Sequence, residues 1–289
     1  MPKEQELAGV LLSNLDKVLY PEDGITKREV VEYYIRIAPR MLPWLRDRAV
    51  VLTRYPEGIA GEGFYAKDAP QGTPNWVRIE TRYSETTGRN VHYIVIQDLK
   101  TLIWIANLAA IEIHMPLARI GSPDVPDVIF FDIDPEPPAG FDAGREAAFL
   151  LRDALLDNGM EPYVKTSGKK GLHILVPVEP PTTFAKTRAF VHAMGRVISQ
   201  KNAGIVSEAS ESQKAGTVFM DFLQNSHGKT LICPYSLRAA RGAPVSTPLS
   251  WNELKTVAGP ESFNIRNILS RKEDPWEKLA QQIFHGKQL

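Results

Sequence analysis

The feature that most constrains this chain is a short apolar stretch that ends in paired carboxylates. Residues 127–134 read Asp-Val-Ile-Phe-Phe-Asp-Ile-Asp and are followed by Pro135. Four β-branched and aromatic residues in a row, stopped by a proline, predict a buried strand. Because side chains alternate along a strand, Asp132 and Asp134 point to the same face. Burying two unpaired carboxylates costs on the order of several kcal/mol, so this face favours a hard divalent cation.

A second predicted strand also carries an acidic residue among apolar ones. Asp221 is a lone acid in the predicted strand 217–222. Three carboxylates on strand interiors fit a two-metal site for nucleotidyl or phosphoryl transfer. An aspartate after a strand is also common as a turn residue or a helix cap, and these residues alone leave both interpretations open.

Between these acids lies a basic, glycine-rich turn. Strands are predicted near 163–166 and 172–176, and residues 166–173 read Thr-Ser-Gly-Lys-Lys-Gly-Leu-His. The two glycines let the backbone approach a ligand closely. Four side chains offer hydrogen-bond donors to a phosphate: Ser167, Lys169, Lys170 and His173. The spacing is not that of a Walker A loop, and no helix follows the turn.

Two lysines lie at or just before the start of a predicted helix near the N-terminus. Thr26 and Glu29 have the spacing of a capping box, which predicts that a helix begins at Lys27. Lys17 precedes this helix. Lysines at a helix N-terminus, where backbone N–H groups point outward, predict a phosphate pocket. The alternative is a pair of ordinary surface lysines.

Aromatic residues in the next segment suit stacking on bases. A loop rich in glycine leads from Arg54 to Phe64 and Tyr65. Rings beside basic residues bind unstacked bases next to phosphates, whereas core packing of one ring is the alternative. Further along, a helix is predicted over 99–114. His114 would lie at its end, where the helix dipole favours a cation.

The composition excludes several classes of protein. The chain has 289 residues, of which 43% are hydrophobic and 24% charged, as is typical of a globular protein. Its single cysteine, Cys233, rules out an internal disulfide and a cysteine-based zinc site, which favours a reducing compartment. No apolar run reaches the roughly 18 residues that span a membrane, and no signal-peptide pattern begins the chain. We therefore expect a cytoplasmic protein with no membrane partner.

Charge is balanced overall but uneven along the chain. The 34 basic and 34 acidic residues cancel. Residues 122–161 carry ten acidic and two basic residues, whereas residues 162–245 carry eleven basic and four acidic residues. An acidic site faced by a basic segment is what a metal-plus-phosphate centre requires. Two separate solvated faces would give the same distribution.

With these motifs in this order, the chain resembles the polymerase domain associated with bacterial and archaeal ligase D, in the archaeo-eukaryotic primase superfamily. The resemblance covers nearly the whole chain. It rests on Asn-Leu-Asp-Lys (14–17) with Tyr-Pro (20–21), Arg-Tyr-Pro-Glu-Gly (54–58) with Gly-Phe-Tyr (63–65), Ile-Ala-Asn-Leu-Ala-Ala-Ile-Glu-Ile-His (105–114), Phe-Asp-Ile-Asp-Pro (131–135), Ser-Gly-Lys-Lys-Gly-Leu-His (167–173), the strand with Asp221, and Tyr-Ser-Leu-Arg (235–238) through Pro-Val-Ser-Thr-Pro (244–248).

The resemblance implies a mixed α/β (α+β) fold with a primase-like catalytic core. Two interlocked lobes would surround mixed and antiparallel sheets, with the active site in the cleft. In a single catalytic domain over 1–289, the N-terminal lobe would cover about 1–120. The metal- and nucleotide-binding lobe would cover about 121–250, and capping helices about 251–289.

The resemblance also implies ligands for individual residues. Two divalent ions, Mn²⁺ or Mg²⁺, would be bound by the catalytic carboxylates Asp132, Asp134 and Asp221. The incoming nucleotide would contact His114, Ser167, Lys170, His173 and Arg238. The 5′-phosphate of a DNA end would contact Lys17 and Lys27, and other DNA groups would contact Arg54, Phe64 and Tyr65.

The implied activity is template-directed, DNA-dependent nucleotidyl transfer that fills short gaps at DNA ends carrying a 5′-phosphate, during non-homologous end joining. Ribonucleotides would be preferred over deoxyribonucleotides. Ku and a separate DNA ligase are the implied protein partners, because the chain ends at Leu289 without room for a fused ligase. A de novo primase, a two-metal nuclease and a non-catalytic DNA-end binding module are alternatives. The chain departs from many relatives at His227, where they carry arginine, and this bears on triphosphate affinity.

Overall fold

The structure is a computed structural model, and it describes residues 5–84, 88–178, 182–202, 206–207 and 215–285. The chain forms two compact units, each built from three separate segments. Unit 1 comprises Met1–Pro116, Ile232–Val245 and Phe263–Lys272. Unit 2 comprises Leu117–Leu231, Ser246–Ser262 and Glu273–Leu289.

This division differs from the predicted lobe boundaries in one respect. The first boundary, expected near residue 120, lies close to Pro116. Residues 232–245, however, were assigned to the metal-binding lobe and residues 263–272 to the capping helices, and both belong to unit 1. The reason is pairing between residues distant in sequence, such as the Cys233 N–H that donates to the Ile113 carbonyl (2.9 Å). The single catalytic domain over 1–289 stays a prediction.

Unit 1 begins with short strands and a long helix. Its first segment contains β1 (Gln5–Leu7), β2 (Val10–Leu12), β3 (Val18–Tyr20), β4 (Ile25–Thr26), α1 (Lys27–Leu45), β5 (Ala49–Arg54), β6 (Phe64–Ala66), β7 (Arg78–Ser84), β8 (Arg89–Val95), α2 (Leu99–Asn107) and β9 (Ala110–Pro116). In the main sheet β5 lies between β9 and β8, β7 pairs with β8, and β6 also pairs with β5. A 3-10 helix, Ile268–Ser270, lies in the last segment.

The N-terminus of α1 confirms the predicted capping box. The Thr26 hydroxyl accepts from the Glu29 N–H (3.4 Å), and the Glu29 carboxylate accepts from the Thr26 N–H (2.8 Å). The apolar stripe of α1 is buried, with Val30 and Tyr34 fully inaccessible. Burial of this stripe fixes the start of the helix, and with it the position of Lys27.

The predicted helix over 99–114 is wrong in its second half. Helix α2 ends at Asn107, and Ala109 adopts the left-handed conformation (φ 56°), which turns the chain into β9. The alternation of apolar residues with Glu112 and His114 is a strand period that the helix prediction overlooked. His114 therefore lies inside a strand and not at a helix terminus.

Unit 2 is a sheet flanked by helices. Its elements are β10 (Val128–Pro135), α3 (Phe141–Asp157), β11 (Tyr163–Thr166), β12 (Leu172–Pro177), α4 (Phe184–Lys201), β13 (Val206–Ser207), β14 (Val218–Asp221), a 3-10 helix (Phe222–Gln224), β15 (Thr230–Ile232, which leads back into unit 1), β16 (Pro248–Leu249), α5 (Trp251–Thr256) and α6 (Glu277–His285). The strand order is β13-β14-β10-β12-β11-β16.

The sheet of unit 2 confirms the predicted fold class. The pairings among β10, β11, β12, β14 and β16 are antiparallel, and β13 pairs with β14 in parallel. Residues 128–131 are buried, as their apolar run predicted, because β10 lies between β12 and β14 in the sheet and α3 and α4 pack near it. Within the described residues, no helix has both the length and the apolar character that crossing a membrane requires.

Candidate functional site

The acids of β10 lie in one row of the sheet of unit 2. Asp132 is directly opposite Asp221 on β14 and directly opposite His173 on β12. Residues opposite each other share a face, with Cβ atoms about 4.5–5.5 Å apart. Asp134, two residues along the same strand, shares that face. The structure thus brings the three predicted carboxylates together with His173.

Crowding of these carboxylates perturbs the protonation of Asp132. Burial and the negative charges of Asp134 and Asp221 together raise the pKa of Asp132 to about 8. Two lysines, Lys165 and Lys170, act in the opposite direction. A carboxyl group held in this way accepts either a proton or a cation.

The other two polar groups of the row have defined partners. Asp221 caps the 3-10 helix that follows it, because its carboxylate accepts from the Leu223 N–H (2.8 Å) and from Gln224 Nε2 (2.9 Å). His173 Nε2 lies 3.4 Å from Asp132 Oδ1. The cap interpretation is thus realised at Asp221, and its carboxylate keeps capacity for further ligands.

Lys165 is a fourth member of the row that the sequence analysis missed. It lies opposite His173 on β11 and is fully buried. Its ammonium group donates to the Ser246 hydroxyl and to the Thr166 carbonyl (3.4 Å). A lysine inside the apolar strand 163–166 is the same kind of anomaly as Asp221, so the signal was present in the sequence.

The basic turn folds back onto β10. The Ser167 hydroxyl accepts from the N–H groups of Lys169 (3.3 Å) and Gly171 (3.0 Å), which closes the turn. A Cβ atom on Gly171 would lie 2.2 Å from the Ile133 carbonyl oxygen and 2.8 Å from Asp134 Oδ1. Glycine is required here because the turn touches the backbone that carries the acids.

Lys170 is held beside these acids by a residue that the sequence analysis did not consider. Its ammonium group lies 2.9 Å from Glu136 Oε1 and 3.9 Å from Asp134 Oδ2. These carboxylates raise its pKa, although burial acts against them. Lys170 is half exposed, so its charge is available at the surface next to the carboxylates.

The donor set of unit 2 fits hard divalent cations. Carboxylate oxygens are the ligands that Mg²⁺ and Mn²⁺ prefer, and mutual repulsion of three acids is relieved by such an ion. Among the residues that the structure describes, no group of three or more acidic, histidine or cysteine side chains already forms a metal-binding cluster. Asp132, Asp134 and Asp221 are the residues that would hold the ions.

A second polar cluster, in unit 1, contains His114 and Arg238. Glu112 lies two residues before His114 on β9, so their side chains share a face. The Arg238 Nε–H donates to Glu112 Oε1 (3.1 Å), and His114 Nε2 lies 3.5 Å from Glu112 Oε2. His114 Nε2 also shares a hydrogen bond with the Thr53 hydroxyl (3.0 Å). The sequence analysis named His114 and Arg238 but missed the carboxylate between them.

Lys17 and Lys27 lie close together, at the start of α1. The Lys27 ammonium group donates to the Ser13 carbonyl (2.8 Å), and the Lys17 ammonium group pairs with Glu57 (2.8 Å). Burial and the positive charges of Lys17 and Arg54 together lower the pKa of Lys27 to about 8. Lys27 is therefore not an ordinary surface lysine, since it is buried among positive charges.

The aromatic pair on β6 faces solvent. Phe64 is 44% exposed and Tyr65 is 50% exposed, so neither ring belongs to the core. The Arg54 guanidinium lies over the Phe64 ring, 5.2 Å from its centroid. The Tyr65 ring meets the edge of the His114 ring at 5.5 Å. Exposed rings beside cations are suited to stacking on bases.

Comparison with known proteins assigns the family. A family model described as LigD, primase-polymerase domain, matches residues 26–276. The chain belongs to this family. The resemblance inferred from the motifs is confirmed.

Individual members of the LigD primase-polymerase family show how far the similarity extends. The multifunctional non-homologous end joining protein LigD of Mycolicibacterium smegmatis is 35% identical over 278 residues, which cover 94% of this chain and 36% of that protein. The bifunctional LigD of Bacillus subtilis is 32% identical over 261 residues, 90% of this chain and 42% of that protein. The chain thus spans about two fifths or less of the length of these relatives.

A solved structure supports the fold. The polymerase domain of Mycobacterium tuberculosis ligase D, in complex with DNA, aligns with a TM-score of 0.87 and 32% identity. The alignment covers 94% of this chain and 98% of that one. The primase-polymerase fold predicted from the sequence is therefore confirmed. His227 is exposed, and its Nε2 atom lies 3.5 Å from Asp124 Oδ1.

Proposed function

We propose that this chain is a template-directed, DNA-dependent nucleotidyltransferase that fills short gaps at DNA ends during non-homologous end joining. The observation that carries the proposal is the row of Asp132, Asp221 and His173 across three strands, with Asp134 and Lys170 beside it. Family membership supports a polymerase over the nuclease alternative, since the acids alone do not distinguish attack by water from attack by a 3′-hydroxyl.

The reaction joins a primer 3′-oxygen to the α-phosphorus of a nucleoside triphosphate. The 3′-hydroxyl loses its proton, the bond from the α-phosphorus to the bridging oxygen breaks, and pyrophosphate leaves. Two Mg²⁺ or Mn²⁺ ions, when bound, supply the Lewis acidity that such a transfer needs. The three aspartates would hold those ions, and their fixed position in a sheet would keep the ligands in place without reorganisation.

The basic turn of unit 2 acts on the triphosphate. Lys170 and His173 donate to the β- and γ-phosphates and offset the charge that develops on the leaving group. Ser167, whose hydroxyl accepts from the turn backbone, shapes the turn and also contacts the nucleotide. In unit 1, His114 and Arg238 contact the same class of ligand.

The DNA contacts are assigned within unit 1. Lys17 and Lys27 bind the 5′-phosphate, which relieves the repulsion between them. Phe64 and Tyr65 stack on template bases, with Arg54 contacting the neighbouring phosphate. On family membership alone we extend the proposal to a preference for ribonucleotides, to Ku and a DNA ligase as partners, and to a cytoplasmic location.

Primer extension on a gapped duplex tests the proposal. The substrate carries a 5′-phosphate or a 5′-hydroxyl at the gap, with Mn²⁺ or Mg²⁺ and either ribonucleoside or deoxyribonucleoside triphosphates. We expect templated addition of one or a few nucleotides, stimulated by the 5′-phosphate and faster with ribonucleotides. Addition without a primer on single-stranded template would indicate a primase. Tight, metal-independent DNA binding without addition would indicate an end-binding module.

A further inference from the structure

Glu112 is a buried carboxylate to which the proposed reaction gives no role. It lies in the middle of β9 and is 4% exposed. Its Oε1 atom accepts two hydrogen bonds, from Arg238 Nε and from the Ala239 N–H, both at 3.1 Å. Its Oε2 atom lies 3.5 Å from His114 Nε2. One side chain thus contacts both residues of unit 1 that are assigned to the nucleotide.

The register of the sheet explains how Glu112 reaches its neighbours. Thr53 on β5 lies opposite Glu112 on β9, and Tyr65 on β6 lies opposite Thr53. These side chains share one face of the sheet with His114. Since strand positions are more precise than loop positions, Glu112 is a rigid anchor for the groups it contacts.

Arg238, by contrast, lies in a loop. Its backbone is held by the Pro244 carbonyl, which accepts from the Arg238 N–H (2.8 Å), and by the Tyr20 hydroxyl, which donates to the Arg238 carbonyl (3.1 Å). The Glu112 contacts fix the side chain and the next peptide as well. Because the carboxylate binds Nε, it sets the plane of the guanidinium and the direction of its terminal nitrogens.

We infer that Glu112 is a positioning residue, which fixes Arg238 and His114 in the geometry that receives the incoming nucleotide. This inference rests on the proposed function. Glu112 touches neither substrate nor metal in this scheme and acts through its two neighbours. A buried carboxylate with no partner is unfavourable, so the pairing with Arg238 also accounts for its place in the core.

The inference is tested by steady-state kinetics of ATP incorporation opposite a templating thymine. The assay uses a gapped duplex and Mn²⁺. Replacing Glu112→Gln keeps the size and removes the charge. We expect KM for ATP to rise roughly 10- to 100-fold, since charge-assisted hydrogen bonds are lost, while kcat and the affinity for DNA change little. Glu80→Gln is the matched control, because Glu80 pairs with Arg82 Nε (3.3 Å) elsewhere in unit 1.

A double-mutant cycle distinguishes positioning from a merely structural role. If Glu112 acts through Arg238, the Glu112→Gln change adds little to the KM of an Arg238→Gln variant. Losses that multiply in the double variant would overturn the inference, as would an unchanged KM in Glu112→Gln. If Glu112→Gln does not fold, Glu112→Asp keeps the charge, and a KM equal to that of the wild type would then contradict the inference.

The proposed function and this inference fail in different ways. A wild-type protein that neither incorporates nor binds ATP would overturn the function, and the inference with it. A wild-type protein that incorporates ATP while Glu112→Gln matches it in KM overturns the inference alone.

Discussion

At the scale of single residues, the site is defined by charges that lie where charge is unfavourable. Asp132, Asp134 and Asp221 crowd one patch of sheet, and Lys27 is buried beside two cations. The sequence predicted the acids because a carboxylate in an apolar strand is conspicuous. Lys165 was overlooked although a lysine in the strand 163–166 is the same kind of anomaly as Asp221, and Glu112 was overlooked because its segment was predicted to be helical.

Asp134→Asn should separate catalysis from stability. The change removes a carboxylate that would hold a metal ion, so we expect nucleotide incorporation to fall by at least on the order of 10²–10³-fold. It also removes one of three mutually repelling charges, so the melting temperature in EDTA should stay the same or rise. Single-turnover incorporation and thermal unfolding measure the two effects, with Asp153→Asn, on the exposed face of α3, as the control. A near-normal rate would contradict the assignment of Asp134 as a metal ligand.

Lys27 should make binding of a 5′-phosphate depend on pH. Its pKa is lowered to about 8, so the protein loses this positive charge as the pH rises through 8, where an ordinary lysine stays charged. We expect the preference for 5′-phosphate over 5′-hydroxyl ends to weaken between about pH 7 and pH 9, by up to roughly tenfold for one lost contact. Fluorescence anisotropy with the two gapped duplexes measures it.

Lys27→Arg is the control for that measurement. Arginine stays charged throughout this range, so the preference of the Lys27→Arg variant for 5′-phosphate over 5′-hydroxyl ends should not change with pH. An equal decline in both proteins would mean that another group is responsible.

At the scale of elements, the sequence predicted the helices and strands whose formation depends on residues close to one another in the chain. The capping box of α1 and the strands β10, β11 and β12 follow from residues within a few positions of one another. The helix predicted over 99–114 failed at Ala109. Nothing in its immediate neighbours requires a left-handed residue there; the turn is stabilised by the pairing of β9 with β5, which lies far away in sequence.

Gly171 tests the contact between the basic turn and β10. A methyl group there would meet the Ile133 carbonyl at 2.2 Å, so the turn must move away from the acids. We expect Gly171→Ala to destabilise the protein by about 2 kcal/mol or more and to abolish incorporation. Denaturant unfolding and primer extension measure these effects.

Gly195, inside α4, is the matched control. A methyl group there meets no atom within 4 Å, and its φ is not left-handed. Gly195→Ala should stabilise the protein by about 0.5–1 kcal/mol, with activity retained. If both variants behaved alike, the argument from close approach at Gly171 would be wrong.

At the scale of the whole molecule, each unit is assembled from three separated segments. Patterns of hydrophobicity identify the elements but carry little information on which distant strands pair. For this reason the sequence placed Arg238 in the metal-binding lobe, whereas it lies in unit 1 against Glu112. The side chains opposite Asp132 in unit 2 and opposite Glu112 in unit 1 could not be predicted for the same reason.

Trp276 tests the contribution of the last segment to unit 2. It is fully buried, and its indole N–H donates to the Val164 carbonyl (3.0 Å) on β11. We expect Trp276→Ala to destabilise the protein by about 3–5 kcal/mol, because a large cavity forms and a buried carbonyl loses its donor. Trp276→Phe should cost less. Unfolding followed by circular dichroism measures both, and a wild-type midpoint for Trp276→Ala would show that this segment is dispensable.

The alternation of segments has a consequence for how the protein is made. A ribosome delivers the chain from its N-terminus, and many proteins complete their first folded part while the rest is still being synthesised. Here the first unit to begin is not finished until residues 263–272 have emerged, and the second waits for residues beyond them. A nascent chain therefore leaves both units incomplete until residues 263–272 have been synthesised, and a chain that terminates before them yields no intact unit.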